Sequence, residues 1–234
     1  MEFSKYFDHT ILNAAATMEE VDRICKEAIE YRFASVCVNG AWTKTVAEKL
    51  TDTDIAVCTV IGFPLGSMST RAKRFETLTA IEDGATEIDM VVNIGAVKDK
   101  NDAFVRQDIA AVKEICSNNT MGKEVILKVI IETCLLSDEE KKRVCELAVE
   151  AGADFVKTST GFSTGGATTK DVALMRKTVD EKTTALEKET GQTWKRVRVK
   201  ASGGIRDAKT AKEMIAAGAD RLGTSATVAI IQGV

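Results

Sequence analysis

A closed (β/α)8 barrel, the TIM-barrel arrangement with a parallel eight-stranded sheet, is the fold class this sequence predicts. Three observations point to it. Short Val- and Ile-rich runs alternate with amphipathic helical stretches from end to end, and parallel strands need such crossovers. A helix-ending signal recurs: Asp83-Gly84-Ala85, Ala151-Gly152-Ala153 and Ala217-Gly218-Ala219 stand 68 and 66 residues apart. Glycine there supplies the left-handed conformation that stops a helix before the next strand. Two βα modules per interval give about eight over the chain, the usual complement of such a barrel.

The strands follow in order. Phe7–Leu12 is the first, short and placed before a helix start. Ala34–Val38, Ile55–Ile61, Glu87–Val92, Val125–Ile131, Asp154–Lys157, Val197–Ala201 and Asp220–Gly223 complete the eight. Thr17 with Glu20, and Ser137 with Glu140, read as capping boxes: the hydroxyl accepts from an orphan N–H and the Glu side chain reaches back. Thr178–Arg196, more charged than its neighbours, reads as a surface helix and loop. With no Pro- or Gly-rich linker, residues 1–234 read as one barrel domain.

Composition narrows the chemistry. The chain has 234 residues, 44% hydrophobic and 29% charged, as in an ordinary soluble protein. Thirty-two Lys and Arg against 35 Asp and Glu leave a net charge of −3, which argues against nucleic-acid and membrane-surface partners. No apolar run approaches the roughly 18 residues of a membrane span. The opening Met1–Lys5 lacks the apolar stretch of a signal peptide, so a cytoplasmic location is expected. Six cysteines without a Cys-x-x-Cys pair read as free thiols in a reducing compartment. With His9 alone, a histidine-rich metal site is excluded, and no metal is expected.

Lys128, Lys157, Lys200 and Asp89 stand inside strands, flanked by apolar residues that must face the helices. Alternation then turns all four into the barrel. Buried charges must pair or shift their pKa values. Ammonium groups crowded in a dry site repel, which frees one neutral amine able to attack a carbonyl and form an imine. The lysines with Asp89 therefore read as a Schiff-base catalyst with a proton relay; the bland alternative is that they balance buried carboxylates. Thr160–Gly166 follows the sixth strand, Ser202–Arg206 the seventh and Gly223–Ser225 the eighth. Backbone N–H groups after strands seven and eight of barrels commonly hold phosphate, and Ser225 and Arg206 would add donors. Lysine plus phosphate anchor means a phosphorylated carbonyl substrate.

At these residues the sequence resembles the deoxyribose-phosphate aldolases. The likeness is carried by Phe7–Leu12, Val60–Gly66, Glu87–Asn93, Lys128–Thr133, Phe155–Gly161 and Val199–Ile205, nearly end to end. The resemblance implies reversible cleavage of 2-deoxy-D-ribose 5-phosphate to acetaldehyde and D-glyceraldehyde 3-phosphate, in deoxyribonucleotide breakdown, with no metal and no organic cofactor. By motif it implies Lys157 as the Schiff-base lysine and Lys200 as the second lysine, which lowers the pKa of Lys157. It likewise implies Asp89 as the proton donor and acceptor, and Asp8 as the acid that orients Lys200. Gly161, Gly203, Gly204, Arg206, Gly223 and Ser225 are expected at the phosphate, with Cys37 and Lys128 near the substrate. The partners implied are small sugar phosphates and aldehydes, and a homodimer or higher homo-oligomer is expected.

Many members end in a tail whose terminal Tyr helps protonate the enamine carbon. Here Ile230–Val234 close the sequence and the tyrosines are Tyr6 and Tyr31, so that step is expected to be slow or water-mediated. Other readings compatible with the residues are another Schiff-base sugar-phosphate aldolase of transaldolase type, a pyridoxal-phosphate protein and a non-catalytic sugar-phosphate-binding barrel.

Overall fold

The computed structural model describes residues 2–119, 122 and 124–233. Eight parallel strands close into a barrel in sequence order: β1 (Phe7–Ile11), β2 (Ser35–Val38), β3 (Ala56–Ile61), β4 (Glu87–Val91), β5 (Ile126–Ile130), β6 (Phe155–Lys157), β7 (Arg198–Ser202) and β8 (Arg221–Thr224). Each lies within one or two residues of its expected position. β8 pairs with β1 through Asp8↔Gly223, which closes the ring and leaves no edge strand.

Helices follow the strands in turn: α1 (Met18–Tyr31), α2 (Thr43–Lys49), α3 (Thr70–Glu82), α4 (Ile94–Lys98), α5 (Asp102–Ser117), α6 (Asp138–Glu150), α7 (Thr169–Thr190), α8 (Ala208–Ala216) and α9 (Thr227–Gln232). Both expected capping boxes are formed, at Thr17 on α1 and Ser137 on α6. The charged Thr178–Arg196 stretch is the second half of α7, which begins earlier on the Thr168 cap, and the loop that follows it; Thr178, Val179 and Thr183 face inward.

The recurring glycines end α3, α6 and α8 with φ of 99°, 80° and 110°. Two residues on, a polar side chain fastens the neighbouring strand: Asp154 accepts from Leu127 N at 2.9 Å and Asp220 from Val199 N at 2.9 Å. Thr86 accepts from Val57 N at 3.1 Å in the same way. The repeat therefore encodes both the helix stop and the tie that starts the next strand.

Strand alternation divides the apolar core. Outward residues such as Val36, Ile88, Met90, Leu127, Val156 and Leu222 pack with the helices in one continuous cluster. A smaller cluster of Leu12, Cys37, Cys58 and Val60, with Phe63 against it, lies apart from the first. His9, on β1, belongs to the helix side: its ring nitrogens meet Glu27 Oε2 at 2.7 Å and Thr227 Oγ1 at 3.1 Å.

Candidate active site

Asp89 stands at the centre of the barrel with no exposure, and three lysines converge on it. Lys157 Nζ and Lys200 Nζ donate to the same oxygen, Oδ2, at 2.7 and 2.8 Å. Lys128 Nζ donates to Oδ1 at 2.8 Å, and the Cys58 thiol donates to that oxygen at 3.3 Å. Register explains the convergence: Asp89 is opposite Lys128, and Lys157 is opposite Lys200. Asp8 Oδ2 forms an ion pair with Lys200, while its Oδ1 accepts from Arg221 at 2.5 Å. Glu87 completes the set, with Oε2 at 2.6 Å from Lys128 and Oε1 at 3.3 Å from Arg221.

Four cations, Lys128, Lys157, Lys200 and Arg221, thus touch three carboxylates, Asp8, Glu87 and Asp89. Burial pushes the Asp89 carboxyl up, but Lys128, Lys157 and Lys200 together override it and hold the group well below the usual range. Asp8 is likewise lowered: burial is outweighed by Arg221, Lys200 and Lys128. The expected mutual repulsion of lysines is not what governs Lys200. Burial lowers its pKa, yet Asp8 and Asp89 outweigh burial and Lys128, and the group is held above the ordinary lysine range. Lys128 is raised too, with Asp89 chief among the groups that overcome burial. Lys200 and Lys128 are therefore fixed ammonium groups.

Above the cluster, at the carboxyl ends of the strands, opens a cavity of about 460 Å³. Lys157 lines it, as do Gly161, Gly203, Gly204, Arg206, Gly223 and Ser225, so six expected phosphate residues share one wall. Gly203 and Gly204 are left-handed in succession, with φ of 85° and 82°. A Cβ on Gly204 would project into open space, so at this wall the cavity meets bare backbone. At Gly223 a Cβ would lie 3.0 Å from Lys200 Cε and 3.1 Å from Ser202 Cβ, so a side chain there would press on the end of Lys200.

Two expected site residues are elsewhere. Lys128 is wholly buried and does not line the cavity. The β5–β6 register sets Lys128 opposite Phe155 and Ile130 opposite Lys157, so Lys128 sits two residues deeper in the barrel. Cys37 is also fully buried, opposite Cys58 in the interior apolar cluster. The neighbouring Cys58 side chain holds its thiol below the usual range, against burial. Tyr6 and Tyr31 stay away from the cavity, Tyr31 Oη accepting from Gln232 at 2.9 Å.

Sequence reasoning missed Glu87 and Arg221, although each directly precedes an outward apolar residue, Ile88 or Leu222, and so had the parity of an interior group. It also missed Glu132, whose buried carboxylate accepts from the Thr160 hydroxyl and braces the loop before Gly161. Two triads of metal-capable atoms occur among the described residues: Cys37, Cys58 and Asp89, and Asp8, Cys58 and Glu87. Every carboxylate in them already holds an ammonium or guanidinium group, which a metal cation would have to displace.

Comparison with known proteins agrees with this architecture. The chain is 56% identical over 231 residues to a deoxyribose-phosphate aldolase of Bacillus cereus (strain AH187), covering 99% of this chain and 95% of that one. A relative of the same name from Geobacillus sp. (strain WCH70) is 55% identical, over 98% and 95% of the two chains. Among solved structures, a putative deoxyribose-phosphate aldolase from Coccidioides immitis superposes with a TM-score of 0.88 at 41% identity, covering 98% of this chain and 84% of that one. The deoxyribose phosphate aldolase of Aeropyrum pernix, described as tetrameric, gives 0.85 at 30% identity, covering 98% and 89%. The DeoC/LacD family aldolase model matches residues 3–233, and the chain belongs to that family.

Proposed function

We propose that this protein is a class I aldolase that cleaves 2-deoxy-D-ribose 5-phosphate reversibly into acetaldehyde and D-glyceraldehyde 3-phosphate. One observation carries the reading: of the three lysines on Asp89, Lys157 alone opens onto the cavity, beside the glycine wall. With four cations on three carboxylates, the cluster is electroneutral when one amine is uncharged. Lys157 has one carboxylate contact, whereas Lys200 has two and Lys128 three. Lys157 is thus the lysine with the fewest carboxylates on it and the one that faces the cavity.

The uncharged Lys157 Nζ adds to C1 of the open-chain aldehyde, and loss of water leaves a protonated imine. The proton of the C3 hydroxyl passes to the Asp89–Lys200 relay while the C2–C3 bond breaks, its electron pair moving into the iminium to give an enamine. Glyceraldehyde 3-phosphate departs, C2 takes up a proton, and water hydrolyses the imine to release acetaldehyde and Lys157. Asp89 supports this as the proton acceptor, its Oδ2 lying 2.7 Å from Lys157 Nζ and 2.8 Å from Lys200 Nζ, with the Lys200 ammonium held against it. Lys200, a fixed cation, stabilises the alkoxide that forms at C3. The phosphate is assigned to the wall of Gly161, Gly203, Gly204, Gly223 and Ser225, with Arg206 as its charged donor.

No helix among the described residues is long and apolar enough to cross a membrane. We place the enzyme in the cytoplasm, where its free thiols, five of them buried, would stay reduced. A homo-oligomer is proposed, in keeping with the tetramer described for the Aeropyrum pernix relative.

Borohydride reduction in the presence of substrate tests the reading. It should fix a two-carbon fragment on Lys157, and Lys157→Ala should abolish both the label and cleavage in the presence of a chelator. Labelling of another lysine, or full activity in Lys157→Ala, would overturn it.

A further inference from the structure

Beneath the relay, on the side away from the cavity, Arg221 spans two carboxylates that the mechanism above leaves unexplained. Nη1 is 2.5 Å from Asp8 Oδ1 and Nη2 is 3.3 Å from Glu87 Oε1. The side chain is 12% exposed, and it does not line the cavity. Its plane lies near the Phe155 ring, which also carries the Arg198 guanidinium 4.0 Å above its centre. We propose that Arg221 is a positioning residue for the Schiff-base reaction, an inference that rests on the function proposed above. Its fork pins Asp8 and Glu87 so that Asp8 keeps its second oxygen for Lys200 and Lys200 stays seated on Asp89 beneath Lys157.

The contacts form one alternating chain of charge: Arg221, Asp8, Lys200, Asp89, Lys157. Asp8 is fully buried, so each of its oxygens needs a partner. Without Arg221, Oδ1 is orphaned, and the next cation after Lys200 is Lys128, 3.8 Å from Oδ2. Rotation of the carboxylate towards Lys128 draws Lys200 off Asp89 and breaks the path to Lys157. Charge acts in the same direction. The groups around Arg221 are Asp8 on β1, Cys58 on β3, Glu87 on β4, Lys128 on β5 and Arg198 and Lys200 on β7. Removing Arg221 from the interior cluster leaves its three carboxylates, Asp8, Glu87 and Asp89, to three lysines, and the lost positive charge holds protons on the lysines to higher pH. A lysine at 221 would retain the charge, but its single nitrogen does not fork between Asp8 and Glu87.

The test compares Arg221→Met, Arg221→Lys and Glu87→Gln in the full chain, following kcat and KM for cleavage against pH. Taking the lost charge as roughly 10 Å from the reacting amine in a medium of effective dielectric about 20, the ascending limb in Arg221→Met should move up by about one pH unit. A kcat loss of about 10- to 100-fold at neutral pH is expected, with part regained at higher pH. Arg221→Lys should return the limb to its parental position without restoring kcat. Glu87→Gln, which adds net positive charge, should move the limb down, and it keeps the test decisive if Arg221→Met does not fold. Limbs that stay in place in Arg221→Met and Glu87→Gln, with kcat scaled equally at all pH, would mean a structural role only and would overturn the inference. Borohydride labelling of the parent separates the two readings. If the parent takes no label at Lys157, the proposed function has failed. If it does and the limbs stay still, Arg221 alone was misassigned.

Discussion

Gly166→Ala separates phosphate recognition from the lysine chemistry. A Cβ at Gly166 would lie 2.3 Å from the Gly203 carbonyl oxygen and 2.5 Å from its carbon. An ordinary carbon–oxygen contact is about 3.3 Å, so the loop after β6 and the loop after β7 must part by about 1 Å, an overpacking cost of about 1–3 kcal/mol. Two hydrogen bonds now join those loops, from Ala167 N to Ser202 O at 3.1 Å and to Gly203 O at 3.0 Å. Parting them displaces Gly203 and Gly204 from the cavity wall. At about 2–4 °C per kcal/mol for a chain of this size, the melting temperature should drop by about 2–12 °C.

Loss of one charge-assisted hydrogen bond to the phosphate, about 1.5–3 kcal/mol, corresponds to a rise in KM of about 10- to 150-fold for 2-deoxyribose 5-phosphate. Unphosphorylated 2-deoxyribose makes no such contact, so its kcat/KM should stay near the parental value. The assay is the ratio of kcat/KM for the two sugars, with borohydride labelling of Lys157 confirming that imine chemistry survives. An equal loss for both sugars, or for neither, would refute the assignment of the glycine wall to phosphate.

Asp89→Asn leaves three lysines around one neutral amide. Breaking a buried ion pair costs about 3–5 kcal/mol, and calorimetry should show a melting temperature lower by about 6–20 °C. Adding Lys128→Met removes the deepest ammonium and should recover much of that stability but none of the cleavage activity, which a double-mutant cycle would read. For His9, burial lowers the pKa despite the opposing Glu27 contact. The unfolded chain then binds the extra proton first, so stability falls as pH drops below about 6.5 until the native ring also protonates. Denaturation midpoints of His9→Gln should be flatter than the parent between about pH 6.5 and 5, above the carboxylate range. Cys134 is the exposed thiol, whereas the Cys25 and Cys116 thiols are pushed by burial up to about 11 and 12. Iodoacetamide at neutral pH should therefore label Cys134 first in the folded protein, as peptide mass spectrometry would show.

The face on which each interior charge lies was legible because its neighbours are apolar. Ile88 and Met90 fix Asp89, and Val199 and Ala201 fix Lys200, since those four pack on the helix side. Depth was not legible. Parity places Lys128, Lys157 and Lys200 alike, and only the stagger between β5 and β6 separates the buried Lys128 from the cavity-lining Lys157. The same limit applied to Cys37, whose residue type and strand suit a site wall but whose register sets it beside Cys58 in the buried interior cluster. Glu87 and Arg221 were passed over because a charge at the first residue of a strand usually meets solvent. A barrel wide enough to hold a layer of charges at its floor brings these two inward. Glu132 stands beyond the end of β5 in a left-handed conformation, φ 55°, where no periodicity reaches.

The division of the barrel into an apolar outer face and a charged interior also divides stability from catalysis. Replacing a buried ionic cluster by apolar side chains of similar volume is often neutral or stabilising, so Asp8, Glu87, Asp89 and their cations are not needed to hold the fold. Burial of the outward strand residues against the helices supplies that, at about 25 cal/mol per Å² of apolar surface removed from water. The interior is free to carry an excess cation that an apolar core would never tolerate. That excess leaves the cluster one positive charge over, and on the function proposed above it serves Lys157, the lysine that faces the cavity. A carboxylate added to the interior would make the cluster neutral with every amine protonated. It would therefore abolish imine formation at neutral pH even if every residue named here stayed in place.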